Sequence, residues 1–119
     1  MINMLNKYTL GDGDIEYEII DYTANYMDSN LNICLPIFMI HGNHDYPNSD
    51  YENLSVLDLL HAAKYVNLFG KHHISKKIQV KPIVFTKGET AIALYGIGYI
   101  KDRHFHVMLE EGSVEFIKP

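Results

Sequence analysis

Apolar and polar residues are grouped in short blocks along the chain, and the spacing within each block predicts an element. Residues 1–10 have the pattern of a helix that ends before the glycines and aspartates of 11–14. Residues 15–21 alternate apolar and acidic side chains, which is typical of a half-buried strand. Residues 35–41 are apolar on both faces once past Pro36, as in a buried strand that helices cover. The first part of the chain therefore predicts the end of one helix and two strands.

The second half predicts two helices and further strands. Ser55 and Asp58 have the spacing of a capping box, so a helix should begin there and end near Tyr65. Helical spacing predicts that its buried face consists of Val56, Leu59, Leu60 and Ala63. The other predicted elements are strands at 66–69, 78–85, 91–95 and 114–117 and a helix at 101–111. Strands interleaved with helices predict an α/β layered fold, and no linker divides residues 1–119 into two domains.

The composition is that of an ordinary globular protein. Of the 119 residues, 47% are hydrophobic and 21% are charged, which excludes a disordered or low-complexity chain. The longest apolar run, 33–40, is far shorter than the roughly 20 residues of a membrane helix, so we expect no membrane segment. Cys34 is the single cysteine and cannot form an internal disulfide, which favours a reducing compartment.

Charge is distributed unevenly along the sequence. The net charge is −5, yet residues 59–88 contain six lysines, three histidines and no acid. Such an asymmetry suggests an anionic partner for this segment, and DNA phosphates are one candidate. The alternative is that the lysines only solvate the outer face of the fold, and the sequence leaves both interpretations open.

The strongest chemical signal is the run from Ile40 to Asp45, directly after the predicted buried strand. Gly42 allows a sharp turn where the strand ends, a place where functional residues collect in α/β sheets. Asn43 offers an amide oxygen suited to a divalent cation, and His44 can donate a proton near neutral pH. Asp45 can orient that imidazole. Together they suit metal-assisted hydrolysis of a phosphoester, whereas the alternative is a turn that contains Asn and Asp by chance.

The block from Gly42 to Asp45 resembles the third signature of the calcineurin-like metallophosphoesterases. Other blocks narrow the resemblance to the Mre-eleven (meiotic recombination eleven, bacterial relative SbcD) nuclease branch of that superfamily. These blocks lie at 32–33, 36–38, 57–62, 66–71, 87–90 and 93–98, and residues 5–8 followed by 11–12 resemble the helix end that precedes this region in the eukaryotic proteins. The resemblance implies part of a layered metallophosphoesterase sandwich, in which helices flank a mixed sheet.

The resemblance also implies roles for three residues. Asn43 matches a ligand of two manganese ions (Mn²⁺), His44 matches the proton-transferring histidine, and Asp45 matches its orienting partner. The implied activity is 3′–5′ double-strand exonuclease and single-strand endonuclease action on DNA, in double-strand break repair in the nucleus. The implied partners are DNA, the Rad-fifty ATPase, a nibrin-like subunit, and a second copy that pairs through the helix around 56–63. For that helix, simple packing on the sheet is the alternative.

The remaining metal-ligand blocks of that branch have no match here. Gly11-Asp12 lacks the strand and the histidine of the metal-binding Gly-Asp block, and His104-x-His106 lies on a predicted helix. We therefore expect residues 1–119 to be an internal segment of a nuclease domain and to be inactive in isolation. Two alternatives stay open: another metallophosphoesterase, acting on a small phosphodiester or a phosphoprotein, and a truncated, non-catalytic module that dimerises or binds a partner.

Overall fold

Helices and strands alternate through the parts of the chain that the computed structural model describes, which are residues 1–13, 15–44, 54–72 and 77–119. The helices there are α1 (Ile2–Thr9), α2 (Val56–Ala62) and α3 (Asp102–Glu110), with a 3₁₀ turn at Asn25–Met27. The strands are β1 (Glu18–Ile20), β2 (Phe38–Met39), β3 (Asn67–Leu68), β4 (Ile78–Val80), β5 (Ile83–Lys87), β6 (Thr90–Leu94) and β7 (Val114–Phe116).

The described strands form three small sheets. β1, β5 and β6 form an antiparallel sheet in that order, whereas β2 pairs with β3 and β4 pairs with β7 in parallel. Parallel pairs need a crossover connection, and α2 supplies one between β2 and β3. The mixture of parallel pairs, an antiparallel hairpin sheet and helices confirms the predicted α/β class.

The single strand predicted at 78–85 is wrong, because the chain divides there into β4 and β5. Ile78 and Val80 are buried and β4 pairs with β7, while Ile83 begins a strand that pairs with β6. Pro82 lies between the two strands and has no N–H to give to a ladder, so continuous pairing stops at that point. The hairpin from β5 to β6 is confirmed, and Gly88 turns it with φ +58°.

Helix α2 begins as predicted but buries a different face. Ser55 and Asp58 form the expected capping box. Leu57 and Leu60 are buried, whereas Val56 is 68% exposed and Leu59 is 65% exposed. Helical spacing alone is compatible with burial of either set of residues. The tertiary partners of the helix determine which set is buried. Those partners form one buried cluster with the helix: Leu5, Val66 and Leu68.

Strand β2 is shorter and more exposed than predicted, although both of its faces make apolar contacts. Met39 packs against the cluster under α2. Phe38 faces an aromatic group on the other side, with its ring centroid 5.2 Å from that of Phe85 and 6.0 Å from that of Tyr22. Leu35, three residues before the strand, and Ile40, directly after it, are exposed. Only β3 pairs with β2 among the described strands, which limits the burial of a strand that is apolar on both sides.

A second apolar cluster lies under α3, where Ile78, Val80 and Met108 are buried together. The predicted end of that helix is confirmed, because Gly112 follows it with φ +66°. Among the described helices, none has the length and apolar character needed to cross a membrane.

Candidate functional site

The carboxyl end of β2 carries the residues that the sequence singled out. Gly42, Asn43 and His44 lie three to five residues after Met39, the last residue of β2, and all three are exposed. The corner is therefore open to a ligand, as a site at the end of a parallel strand requires. Asp45 lies outside the described residues. The assignments of Asn43 as metal ligand and His44 as acid stay predictions.

Residues 96–99 form backbone hydrogen bonds both to the chain after β2 and to the chain after β3. The backbone N–H of Tyr99 donates to the carbonyl of His41 over 2.9 Å, and the N–H of Gly98 donates to the carbonyl of Gly70 over 2.7 Å. Close approach depends on glycine, because a Cβ on Gly96 would lie 2.2 Å from the ring of Phe69. Backbone hydrogen bonds therefore help to fix the chain after β2.

His41 is the residue that sequence reasoning missed. Its side chain is only 1% exposed, and its Nε2 lies 2.9 Å from Ser55 Oγ and 3.4 Å from Asp58 Oδ2. The Ser55 hydroxyl donates to Asp58, so we assign the imidazole proton to Nε2, where it serves both contacts. The sequence did contain a signal for this contact, because a histidine ends an apolar strand and a capping box follows. However, His41 and Ser55 are 14 residues apart, so no local spacing pattern links them.

Ser55, His41 and Asp58 do not form a nucleophilic triad. In a triad the serine and the carboxylate bind opposite nitrogens of the imidazole. Here both groups face the same nitrogen, Nε2, and the serine hydroxyl also accepts the N–H of Leu57 as the cap of α2. The arrangement is therefore a structural junction between β2 and α2.

Asp58 lies at the centre of this junction as a carboxylate. Partial burial raises its pKa, but hydrogen bonds from the Ser55 backbone N–H and from Lys71 outweigh burial and hold the pKa below its ordinary value. Lys71 Nζ contacts the second oxygen at 3.1 Å. The negative charge of Asp58 is thus stabilised by folding.

This charge predicts a loss of stability in acid. A carboxyl group whose pKa is lowered by folding stabilises the fold above its unfolded value, near 3.8. That contribution is lost as the pH falls below this value through the lower pKa of the folded state. We expect the urea midpoint of the chain to fall between pH 4 and pH 2, and Asp58→Asn to flatten this dependence. A matched change at an exposed ion pair, Glu115→Gln, should flatten it less; an equal effect of the two changes would contradict the assignment.

Comparison with known proteins identifies the family. The family model for calcineurin-like phosphoesterases matches residues 7–117. The chain belongs to the calcineurin-like phosphoesterases. It is similar to the double-strand break repair protein MRE11 of Homo sapiens, at 38% identity over 99% of this chain and 18% of that protein. For mre-11 of Caenorhabditis elegans the identity is 48%, over 98% and 17%, and for mus-23 of Neurospora crassa it is 38%, over 100% and 17%. The chain thus spans less than a fifth of the length of these relatives.

Membership of this metallophosphoesterase family implies divalent metal ions, and Asn43 fits that chemistry. Its amide oxygen is a hard neutral donor in an exposed position at a strand end. Within the described ranges, no three His, Cys, Asp or Glu side chains lie together in a way that could hold a metal. Asn43 is therefore a suitable single donor and not a site by itself.

The sequence predicts that Asp12 and the histidines of α3 are not metal ligands, and Asp12 and His106 have other partners. Asp12 Oδ1 accepts a hydrogen bond from Asn32 Nδ2 over 2.7 Å. His106 and His104 are exposed on α3, where His106 Nε2 lies 3.1 Å from Glu110 one turn later. Asp12 and His106 thus each have a partner within the described part of the chain.

The lysines of residues 59–88 are mostly paired with acids from outside that segment. Of the five lysines described there, four form ion pairs, and Lys81 is the fifth. The pairs are Lys64 with Asp28, Lys71 with Asp58, Lys77 with Glu115 and Lys87 with Glu16. The positive charge seen along the sequence is therefore largely balanced in space, which favours a solvated outer face over a phosphate-binding patch.

Proposed function

We propose that these residues belong to a metal-dependent phosphodiester hydrolase that cuts DNA in double-strand break repair. The observation that carries the proposal is the exposed pair Asn43 and His44 at the carboxyl end of a parallel strand. It is supported by the family match and by relatives that are named double-strand break repair proteins.

In this proposal each residue of the corner has one task. Asn43 Oδ1 would bind a divalent cation, which we infer to be one of two manganese ions. When bound, such ions polarise phosphate oxygens and make coordinated water acidic enough to attack. His44 would protonate the oxygen that leaves when the phosphodiester breaks, because a protonated imidazole can act as a general acid. Asp45 would orient that imidazole.

We infer the finer properties from the resemblance. They are 3′–5′ exonuclease action on duplex DNA, endonuclease action on single strands, location in the nucleus, and assembly with the Rad-fifty ATPase and a nibrin-like subunit. We also propose that residues 1–119 are one segment of a nuclease domain. Other segments of that domain would supply the other metal ligands.

The intact natural protein provides the test of the proposed function. It should release labelled nucleotides from duplex DNA with a 3′ end, with manganese and not with chelator present. If the protein instead hydrolyses a phosphopeptide or a small phosphodiester and does not cleave DNA, it is a metallophosphoesterase of another kind. The purified 119-residue chain should release no nucleotides, and manganese-dependent release that His44→Ala abolishes would overturn that expectation.

Helix α2 supports a second proposed property, pairing with another copy of the protein. Its core face is occupied by Leu57 and Leu60, and this leaves Val56 and Leu59 exposed three residues apart; Leu54, before the N-cap, is also exposed. Simple packing on the sheet explains the first pair only. An exposed apolar row on a helix is a suitable surface for an identical helix.

We therefore expect Leu59→Arg to convert a dimer of the intact protein into a monomer, because two buried charges would face each other across the pair. Sedimentation equilibrium at about micromolar concentration would measure this. The matched control is Leu109→Arg on α3, which is 48% exposed against 65% for Leu59 and should leave the dimer intact. A wild-type protein that is monomeric at this concentration would contradict the pairing.

A further inference from the structure

His41 connects three parts of the fold at the base of the exposed corner. Its backbone carbonyl accepts the N–H of Tyr99, and its Nε2 contacts the Ser55 hydroxyl and the Asp58 carboxylate at the start of α2. Lys71, which follows β3, contacts the same carboxylate. The buried imidazole thus joins the chain after β2 to the cap of α2, and Lys71 joins the chain after β3 to the same carboxylate.

His41 lies close in sequence to the two predicted site residues. His41 precedes Asn43 by two residues and His44 by three, and its side chain contacts Ser55 at the cap of α2. Those two side chains are exposed. Because they follow His41 by only two and three residues, the anchoring of His41 limits where they can lie.

We propose that His41 is a positioning residue for the corner, and that it orients Asn43 and His44 by tying the end of β2 to the cap of α2. This inference rests on the proposed function. His41 would touch neither substrate nor metal, because its side chain is 1% exposed and faces the helix cap. Its loss should therefore affect how tightly metal is held more than the rate once metal is bound.

The experiment uses two variants of the intact natural protein. His41→Leu fills the same buried space without a hydrogen bond, whereas His41→Gln can place a donor near the position of Nε2. We expect His41→Leu to weaken manganese binding, followed by the electron paramagnetic resonance of free manganese, by about tenfold or more. The maximal rate of hydrolysis at saturating manganese should stay within about threefold, and His41→Gln should bind manganese nearly as well as the unchanged protein.

Amide hydrogen exchange gives a second readout that needs neither metal nor activity. The N–H groups of Tyr99 and Leu57 bind the His41 carbonyl and the Ser55 hydroxyl, so both should exchange about tenfold faster in His41→Leu and not in His41→Gln. If the unchanged protein neither binds manganese nor cleaves DNA, the proposed function is overturned, while this exchange measurement still decides the anchoring role.

Three results would overturn the inference: unchanged exchange at both amides in His41→Leu, equal weakening of metal binding by the two variants, or a lower melting temperature with unchanged metal affinity. If His41→Leu does not fold, Asp58→Asn weakens the same junction from the helix side without emptying buried space. It should then weaken manganese binding several-fold, and unchanged binding in that variant would count against the inference.

Discussion

His44→Ala in the intact natural protein is expected to lower the rate of DNA hydrolysis by about 10²–10⁴-fold, the usual effect of losing a general acid. The imidazole is exposed at the end of β2, and the alanine side chain cannot give a proton to the leaving oxygen. Affinity for duplex DNA and for manganese should change little, because the amide of Asn43 and the backbone turn at Gly42 stay in place. A nuclease assay at saturating metal, with binding measured separately, checks both parts.

His106→Ala is the matched control for this prediction. His106 is also an exposed histidine, but it lies on α3 and pairs with Glu110. Its removal should leave the rate within about twofold, as expected for a surface substitution away from the chemistry. If His44→Ala retains more than about a tenth of the rate, or if both variants lose the same amount, the assignment of His44 as the acid is wrong.

Asn67→Leu is expected to destabilise the chain by about 3 kcal/mol, because it removes the centre of a buried amide pair. The Asn67 side chain accepts the backbone N–H of Asn25 over 2.6 Å. It also donates to the side-chain oxygen of Asn25 over 3.0 Å and to the carbonyl of Ile37 over 3.1 Å. Asn67 is 1% exposed and Asn25 is 7% exposed, so water cannot replace these bonds without opening the fold.

Leucine has the same number and branching of side-chain heavy atoms as asparagine and is not smaller, so a cavity is not the expected cause of this loss. The urea midpoint of the 119-residue chain would report it, with Asn6→Leu on the exposed side of α1 as the control. The control should change the free energy of unfolding by less than about 0.5 kcal/mol. Similar midpoints for the unchanged chain and Asn67→Leu would show that the amide pair contributes little.

Features set by neighbours in sequence could be predicted from the sequence. The capping box of Ser55 and Asp58 depends on residues three apart, and the hairpin at Gly88 and the helix end at Gly112 each depend on one positive φ. The exposure of Asn43 and His44 follows from the same local logic, since polar residues that follow a strand end turn towards solvent. These expectations required no knowledge of the tertiary partners.

Features set by distant partners could not be predicted. The buried row of α2 was decided by Leu5 of α1 and the residues of β3, and helical spacing alone allowed either row. Residues 78–85 kept their apolar pattern through Pro82, although β4 and β5 join different sheets. The contact of His41 with the cap of α2 was hidden for the same reason, because a partner 14 residues away leaves no periodic signal.

The central proposal is that the corner after β2 binds metal through Asn43 and presents His44 to the substrate. Anomalous diffraction at the manganese edge, from crystals of the intact natural protein grown with manganese, tests this most directly. We expect manganese coordinated by Asn43 Oδ1, with His44 beside the site and directed into it. Manganese bound in an active protein at a place that neither Asn43 nor His44 lines would contradict the proposal.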